Sequence, residues 1–164
     1  MASFAGLPHR LQTVAKHGGI SFVNDSKATN GVAAAKALAT FDNVYWIAGG
    51  EAKEDGLGEA TGKTAKVAHA YLIGSAARAF ANELDGIVET SLSGDLETAT
   101  TSAFADASAA TGTDGRDAII LLSPAAASFD QFASFVARGD AFTKIARRLT
   151  AEAGTAAVQG DAHA

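Results

Sequence analysis

The chain passes from an apolar run through a polar loop to an alanine-rich segment, starting at Ile20-Ser21-Phe22-Val23-Asn24-Asp25-Ser26-Lys27-Ala28-Thr29-Asn30. The apolar run favours a β-strand, and the alanine-rich residues 31–40 favour a helix. In α/β proteins, such a connection brings loop side chains, backbone N–H groups and the positive end of a helix dipole together. The same sequence also fits an ordinary turn, with local capping by Asp25 or Ser26 and with Asn30 as the helix N-cap.

Strand-like and helix-like segments alternate along the rest of the chain. The pattern predicts strands at residues 11–16, 20–24, 44–48, 70–73, 87–89 and 118–122. It predicts helices at residues 31–40, 61–67 and 75–84, a longer one marked by apolar positions from 96 to 107, and a last one through 142–149. This alternation predicts an α/β fold with a mostly parallel sheet, helices on both faces and an antiparallel edge hairpin. From residue 150 to residue 164 the pattern is lost, and we expect a flexible tail.

The composition limits the classes of function. The 164 residues suffice for one domain, and 48% hydrophobic with 19% charged residues is typical of a soluble globular chain. A net charge of −5 without a basic stripe argues against nucleic acid as a partner. No apolar run approaches the roughly 20 residues of a membrane span. No secretory signal is visible at the start, so we expect a cytoplasmic protein.

Metal, P-loop and hydrolase sites find little support in the sequence. The chain has no cysteine, and His9, His17, His69 and His163 lack ligand spacing, so we expect no metal site made by this chain alone. The run Gly58-Glu59-Ala60-Thr61-Gly62-Lys63-Thr64 resembles a P-loop, but its glycines enclose three residues where the motif requires four. Neither a Gly-x-Ser-x-Gly nor a Gly-x-Gly-x-x-Gly motif occurs.

Three polar loops follow predicted parallel strands, and α/β sheets bind ligands at that edge. One of them is residues 25–30. The second is Gly49-Gly50-Glu51-Ala52-Lys53-Glu54-Asp55, in which paired glycines allow close backbone approach to a ligand and Lys53 suits a carboxylate or phosphate. It equally fits a solvated surface turn. The other is Ser123-Pro124-Ala125-Ala126-Ala127-Ser128-Phe129-Asp130-Gln131-Phe132. There Ser128 and Gln131 fit a capping box, so Ser128 is predicted to cap a helix, to contact a ligand, or both.

Together these loops resemble a known family. The motifs are Gly-Leu-Pro-His-Arg at 6–10, Asn-Asp-Ser-Lys-Ala-Thr-Asn at 24–30, Gly-Gly-x-x-Lys at 49–53, Leu-Leu-Ser-Pro-Ala at 121–125, Ser-Phe-Asp-Gln-Phe at 128–132 and Arg-Gly-Asp at 138–140. In this order and at these separations, residues 6–149 resemble the carboxyl-terminal domain of the Mur ligase family, in particular members that add D-glutamate in peptidoglycan synthesis. The resemblance implies a Rossmann-like three-layer α/β fold.

The resemblance also implies roles for individual residues. It implies a D-glutamate pocket formed by Lys27, Thr29, Lys53, Ser128 and Phe135. It implies that Arg10 and Asp25 reach the nucleotide at a cleft between domains. A dicarboxylate substrate requires cations and N–H or O–H donors, which this set supplies. Two departures from the family pattern are Ala126, where relatives often have Cys, and Val136, where they often have an acid.

The implied reaction joins D-glutamate to UDP-N-acetylmuramoyl-L-alanine through an acyl phosphate formed with ATP and Mg. The resemblance places ATP and Mg mainly on a central ATPase domain, preceded by a UDP-binding domain, and neither lies within these 164 residues. We therefore expect no catalytic residue in this domain alone, and no activity from the isolated chain. The alternatives are a stand-alone Rossmann-like module that binds a small anionic ligand, or a structural interaction domain.

Overall fold

The computed structural model describes residues 8–51 and 54–163. The strands are β1 (Gln12–His17), β2 (Ile20–Asn24), β3 (Val44–Gly49), β4 (Val67–Ile73), β5 (Thr90–Gly94) and β6 (Ala118–Leu122). The helices are α1 (Gly31–Thr40), a 3₁₀-helix (Gly58–Lys63), α2 (Ala77–Leu84), α3 (Leu96–Asp114) and α4 (Phe135–His163). The strands form one sheet in the order β1-β2-β6-β3-β4-β5. Only the β1–β2 pair is antiparallel among these, which confirms the predicted mostly parallel sheet with an edge hairpin.

The sheet lies between two layers of helices, each with its own core. β3 is buried along its whole length, because it is an interior strand covered on both faces. Successive side chains of a strand point to opposite faces. Trp46 accordingly packs with residues of α1 and α2, whereas Tyr45 and Ile47 pack with residues of α3 and α4. This arrangement confirms the Rossmann-like three-layer fold.

The strand-to-helix connection that opens the sequence analysis forms as predicted. β2 ends at Asn24 and α1 begins at Gly31. The side-chain oxygen of Asn30 accepts a hydrogen bond from the N–H of Ala33 at 2.9 Å, and Asn30 itself has extended backbone angles. Asn30 is therefore the N-cap of α1, which satisfies one of the N–H groups that a helix start leaves unpaired.

The predicted helix at residues 61–67 is wrong. The chain there forms the shorter 3₁₀-helix Gly58–Lys63, which contains two glycines. Glycine lowers the stability of a regular helix because its backbone loses more freedom on folding. Val67 already belongs to β4, where it pairs with Val44 of β3. Val67, the last residue of the predicted helix, is thus the first residue of a strand.

The predicted strand at residues 87–89 is also wrong. The N–H groups of Ile87 and Val88 both bond to the carbonyl oxygen of Leu84, so the chain turns at the end of α2. The strand β5 begins only at Thr90 and lies at the edge of the sheet. None of its residues is fully buried, so its sequence lacks the apolar run that marks an interior strand.

The last helix is longer in both directions than the sequence pattern indicates. α4 starts at Phe135, before the predicted apolar face, and continues to His163 through the segment predicted as a tail. That segment has no apolar stripe, but it is rich in alanine, which has the highest helix propensity. Within residues 8–51 and 54–163, no helix has the length and hydropathy needed to span a bilayer.

Candidate functional site

The three predicted loops meet at one edge of the sheet, because β2, β6 and β3 are neighbours. Backbone hydrogen bonds connect them directly. The N–H of Ala125 donates to the carbonyl of Ala28 at 2.9 Å, which joins the loops after β6 and β2. The N–H groups of Gly49 and Glu51 donate to the carbonyls of Pro124 and Ala127 at 2.9 and 2.8 Å, which joins the loops after β3 and β6. The site therefore rests on a hydrogen-bonded frame of loops.

The loop after β2 presents Lys27 to solvent. Lys27 is exposed, whereas its neighbours Ser26 and Ala28 are buried. Its backbone N–H donates to the carbonyl of His9 at 2.9 Å, and its carbonyl accepts from the N–H of Thr29 at 2.9 Å. Thr29 is half-buried. The loop thus fixes the backbone of Lys27 on both sides and leaves the ammonium group available to a ligand.

Asp25 lies under this loop as a buried carboxylate. One oxygen accepts from the Ser123 hydroxyl at 2.8 Å, and the other accepts from the N–H of Leu11 at 3.2 Å. Burial raises the pKa of Asp25 to about 6, although the hydrogen bonds from Ser123 and Leu11 and the charge of Arg10 act in the opposite direction. Asp25 is therefore close to half-protonated in mildly acidic solution and charged at higher pH.

Arg10 approaches Asp25 from a stretch of unusual backbone. Its neighbours His9 and Leu11 have φ angles of 65° and 47°, in the left-handed region that residues with a side chain rarely adopt. Such conformations persist only where the surrounding structure enforces them, and they occur often at binding sites. Here the bond from Leu11 to Asp25 and the bond from Lys27 to the His9 carbonyl hold both flanks of Arg10.

These residues line a cavity of about 430 Å³ at the start of α1. The lining combines positive, polar and apolar groups: Arg10, Leu11, Asp25, Lys27, Ala28, Asn30, Val32, Ala33, Lys36 and Ala37. The structure thus brings together three predicted residues, Arg10, Asp25 and Lys27. It adds Lys36, which the sequence analysis missed although it follows Val32 by one helical turn. Three cations against one carboxylate favour an anionic ligand.

A larger cavity of about 660 Å³ lies at the opposite edge, near the amino ends of β3, β4 and β6. Its charges are balanced, with Lys66 and Arg116 beside Asp42 and Asp117. The Lys66 ammonium and the Asp42 carboxylate form an ion pair at 2.8 Å. We therefore place the candidate site at the carboxyl edge, despite the smaller volume there, because the unbalanced charges and the predicted residues coincide.

Ser128 does not cap a helix, so the capping-box prediction is wrong. α4 begins at Phe135, and the side chain that accepts from its first turn belongs to Ser134, with the Ala137 N–H at 3.1 Å. The residues after Ser128 instead tie the loop to neighbouring loops. Asp130 accepts from the N–H of Ser75 at 3.0 Å, and the amide of Gln131 donates to the Gly94 carbonyl at 2.8 Å. These bonds hold the segment as a turn.

The Ser128 hydroxyl is buried and has no hydrogen-bond partner among the described residues. A buried polar group without a partner is uncommon in native proteins, because it loses its bonds to water without replacement. Phe135 is half-buried, its ring meets the edge of the His9 ring at 6.2 Å, and its carbonyl accepts from the Ser26 hydroxyl at 2.7 Å. The cavity lining includes neither Ser128 nor Phe135, nor the predicted Thr29.

Lys53, the remaining predicted ligand, lies outside the described residues. The glycines before it are required by the fold itself. Gly49 and Gly50 have φ angles of 121° and 143°, and a Cβ would collide with the Ile73 carbonyl at the first and with the Ala127 carbonyl at the second. These glycines therefore permit a close approach of the protein's own backbone segments.

No cluster of three or more histidine, aspartate or glutamate side chains that could hold a metal ion occurs among residues 8–51 and 54–163. The described part of the molecule is thus a Rossmann-like α/β domain with a cationic cleft at the carboxyl ends of its parallel strands. The chain belongs to the Mur ligase family, because the family profile described as "Mur ligase, glutamate ligase domain" matches residues 9–126.

Curated relatives agree with this assignment. The chain is 51% identical to the UDP-N-acetylmuramoylalanine--D-glutamate ligase of Caulobacter vibrioides over 158 residues, which are 96% of this chain and 33% of that protein. It is 52% identical to the ligase of the same name from Rhizobium meliloti over 142 residues, 87% of this chain and 30% of that protein. It is 46% identical to the ligase of the same name from Nitrobacter hamburgensis over 149 residues, which are 91% of this chain and 31% of that protein. The chain therefore spans about a third of the length of these relatives.

Proposed function

We propose that this chain is the D-glutamate-binding domain of an ATP-dependent ligase that joins D-glutamate to UDP-N-acetylmuramoyl-L-alanine in peptidoglycan synthesis. The observation that carries the proposal is the match to ligases of that name along 96% of the chain at 51% identity. The chain spans about a third of the length of those relatives, and we propose that domains preceding this one would carry out the remaining parts of the reaction. We propose residues 6–149 as the domain itself.

The chemistry of D-glutamate fits the cations of the site. The substrate carries two carboxylates, and each gains most from a charged donor in a partly buried position. We assign the pocket to Lys27, Thr29, Lys53, Ser128 and Phe135. Lys27 is exposed at the rim, so it would meet a carboxylate directly. The Ser128 hydroxyl, buried without a described partner, would donate to a carboxylate oxygen and so remove the cost of its own burial.

The nucleotide would approach the cavity that Arg10 and Asp25 line, which Lys27 also borders. We assign Arg10 and Asp25 to that contact, where Arg10 supplies a fixed positive charge and Asp25 an acceptor held by Ser123. ATP would supply the phosphoryl group that activates the muramoyl-alanine carboxylate. We propose, on the family resemblance, that a central domain would hold Mg. Closure of that domain over this one would exclude water and bring the D-glutamate amine close to the activated carboxylate.

The first test is a titration of the isotope-labelled 164-residue chain with D-glutamate and then with L-glutamate, followed by backbone amide NMR shifts. A ligand of so few atoms binds only in about the millimolar range, which this method detects. We expect shifts with D-glutamate alone, clustered at residues 27–30, 53 and 128–135. Equal shifts for the two enantiomers would favour a module for small anions in general, and no shift would contradict a pocket preformed in this domain.

A second test measures the activity itself. In a chimera, the chain replaces the matching 158 residues of the Caulobacter vibrioides ligase, and the ATP-dependent incorporation of D-glutamate is measured. We expect the chimera to be active and the Lys27→Ala chimera to lose activity by orders of magnitude, while both fold. Lys63→Ala, in the exposed 3₁₀-helix, is the matched control and is expected to be active. Equal activity of the two variants would remove Lys27 from the site.

A further inference from the structure

The most deeply buried charge of the described chain is the guanidinium of Arg138. Arg138 lies in the first turns of α4 and is 1% exposed, yet no carboxylate of the described residues forms an ion pair with it. Burial lowers its pKa to about 10, although the negative charge of Asp130 acts in the opposite direction, so Arg138 stays charged at neutral pH. A buried charge without an ion-pair partner is tolerated only where hydrogen bonds compensate for the lost water. The positions of those hydrogen bonds therefore indicate what the residue does.

The guanidinium contacts two loops. Its Nε donates to the Ser26 hydroxyl at 2.9 Å, and one Nη donates to the Ser26 carbonyl at 2.8 Å. The other Nη donates to the carbonyl of Ala126 at 2.9 Å. Ser26 directly precedes Lys27, and Ala126 lies two residues before Ser128. The planar fork of donors thus spans the distance between the loop that carries Lys27 and the loop that carries Ser128.

The same fork also fixes the start of α4. The Ser26 hydroxyl, which accepts from Arg138, donates in turn to the Phe135 carbonyl at 2.7 Å. Gly50 of the third loop lies so close that a Cβ there would be 3.2 Å from an Nη atom of Arg138. Three of the elements that carry proposed D-glutamate ligands, the loops after β2 and β6 and the start of α4, are therefore bonded to Arg138 directly or through Ser26. Arg138 itself is not among the residues that line the cavity.

We propose that Arg138 is a positioning residue that sets the separation between the Lys27 side and the Ser128 side of the ligand pocket. This assignment rests on the proposed function, because it concerns the geometry of the D-glutamate pocket. Since Lys27 and Ser128 lie on different loops, a dicarboxylate bound by both depends on their separation. Arg138 acts on that separation through Ser26 and Ala126 and does not touch the ligand.

The test compares Arg138→Lys and Arg138→Met with Arg148→Met in the 164-residue chain. Lysine keeps the charge but cannot donate to three acceptors in one plane, and methionine removes both the charge and the hydrogen-bond donors. Arg148 lies on the same helix, where it pairs with Glu97 on the surface, so it is a control for the loss of an arginine from α4. The measurements are amide hydrogen exchange and the D-glutamate titration, and thermal unfolding shows whether each variant folds.

We expect Arg138→Lys to fold, to exchange the amides of Ala28 and Phe132 about tenfold faster, and to weaken the D-glutamate response about tenfold. These amides bond to the Asp25 and Ser128 carbonyls within the two loops. The strand amide of Ile47 should keep its wild-type rate, and Arg148→Met should match the wild type throughout. If Arg138→Met fails to fold, the result for Arg138→Lys alone tests whether Arg138 positions the two loops.

Two outcomes overturn the assignment and are distinct from each other. If Arg138→Lys keeps the wild-type D-glutamate response, or accelerates exchange equally at Ile47 and in the loops, Arg138 only stabilises the fold. If the wild-type chain gives no D-specific response, the pocket is not preformed in this domain and the positioning role fails, whereas an inactive chimera would refute the proposed function itself. A D-specific response in the wild type that Arg138→Lys loses, with the Ile47 rate unchanged, supports both.

Discussion

Replacing Asp25 with asparagine should stabilise the domain at neutral pH and leave it unchanged in acid. The pKa of Asp25 is raised to about 6 in the folded chain, against an ordinary value of 3.8. The folded state therefore binds a proton more tightly than the unfolded state. By linkage, the stability that depends on this group is greatest below the unfolded pKa and is lost as pH rises through 3.8 to about 6. Above that range, the charged carboxylate destabilises the fold by a constant amount.

The magnitude follows from the pKa difference of about two units. At about 1.4 kcal/mol per unit, the charge on Asp25 costs up to about 3 kcal/mol above pH 7. Asp25 is only 5% exposed, so solvent screens little of this cost. Asparagine keeps the bonding pattern, because its oxygen can accept from the Leu11 N–H and its amide can donate to the Ser123 oxygen. The substitution thus removes the charge without leaving either partner unpaired.

Urea unfolding of the wild type and Asp25→Asn at several pH values between 4 and 8 measures this effect. We expect the two free energies of unfolding to differ by only about 0.5 kcal/mol near pH 4 and to diverge by up to about 3 kcal/mol, in favour of Asp25→Asn, by pH 8. Asp42→Asn is the control. The Lys66 ammonium lowers the pKa of the exposed Asp42, so loss of that charge should lower the free energy of unfolding at neutral pH rather than raise it. A difference between wild type and Asp25→Asn that does not change with pH would refute the reasoning.

Three further predictions concern other contacts. In Ser128→Ala, the free energy of unfolding should stay the same or rise by up to about 1 kcal/mol, since the hydroxyl has no described partner, and the D-glutamate NMR response should weaken. A lower free energy of unfolding would mean that the hydroxyl is bonded within the fold. Gly50→Ala should destabilise the chain by more than about 2 kcal/mol in thermal unfolding, because its Cβ meets the Ala127 carbonyl, whereas Gly112→Ala, with open space in α3, should stabilise it. Tyr71→Phe should cost about 1–2 kcal/mol in urea unfolding, because it leaves the Asp106 carboxylate without the 2.6 Å bond, and an unchanged midpoint would contradict that role.

The sequence predicts the interior of this fold better than its edges. β2, β6 and α1 have their predicted bounds, because interior strands are continuous apolar runs and because Asn30 marks a helix start by its own hydrogen bond. β5 lies at the edge, where one side faces solvent, and its sequence carries no comparable apolar run. The extension of α4 past residue 150 depends on alanine propensity rather than on an apolar face, so periodicity could not detect it.

The candidate site was predictable only where local sequence marks it. Arg10, Asp25 and Lys27 lie in or beside a loop of the β-α connection, and local sequence identifies such a loop. Lys36 contributes to the same cavity from the surface of α1, where a lysine is ordinarily solvated, so nothing in its neighbourhood distinguishes it. The predicted capping role of Ser128 required a helix directly after it. Residues 130 and 131 instead bond to loops distant in the sequence, which local sequence could not predict.

The motifs that identify the family contain two physically different kinds of residue. Lys27 is exposed at the rim of the cleft, and its charge is available to a ligand. Gly50 and Arg138 face inward, and they bring loops together that are more than 70 residues apart in the chain, as the bonds from Arg138 to Ser26 show. A resemblance in sequence does not separate these kinds, because both belong to the matching pattern. Their substitutions should differ, since loss of Lys27 removes a contact, whereas loss of Arg138 alters the separation of contacts that remain.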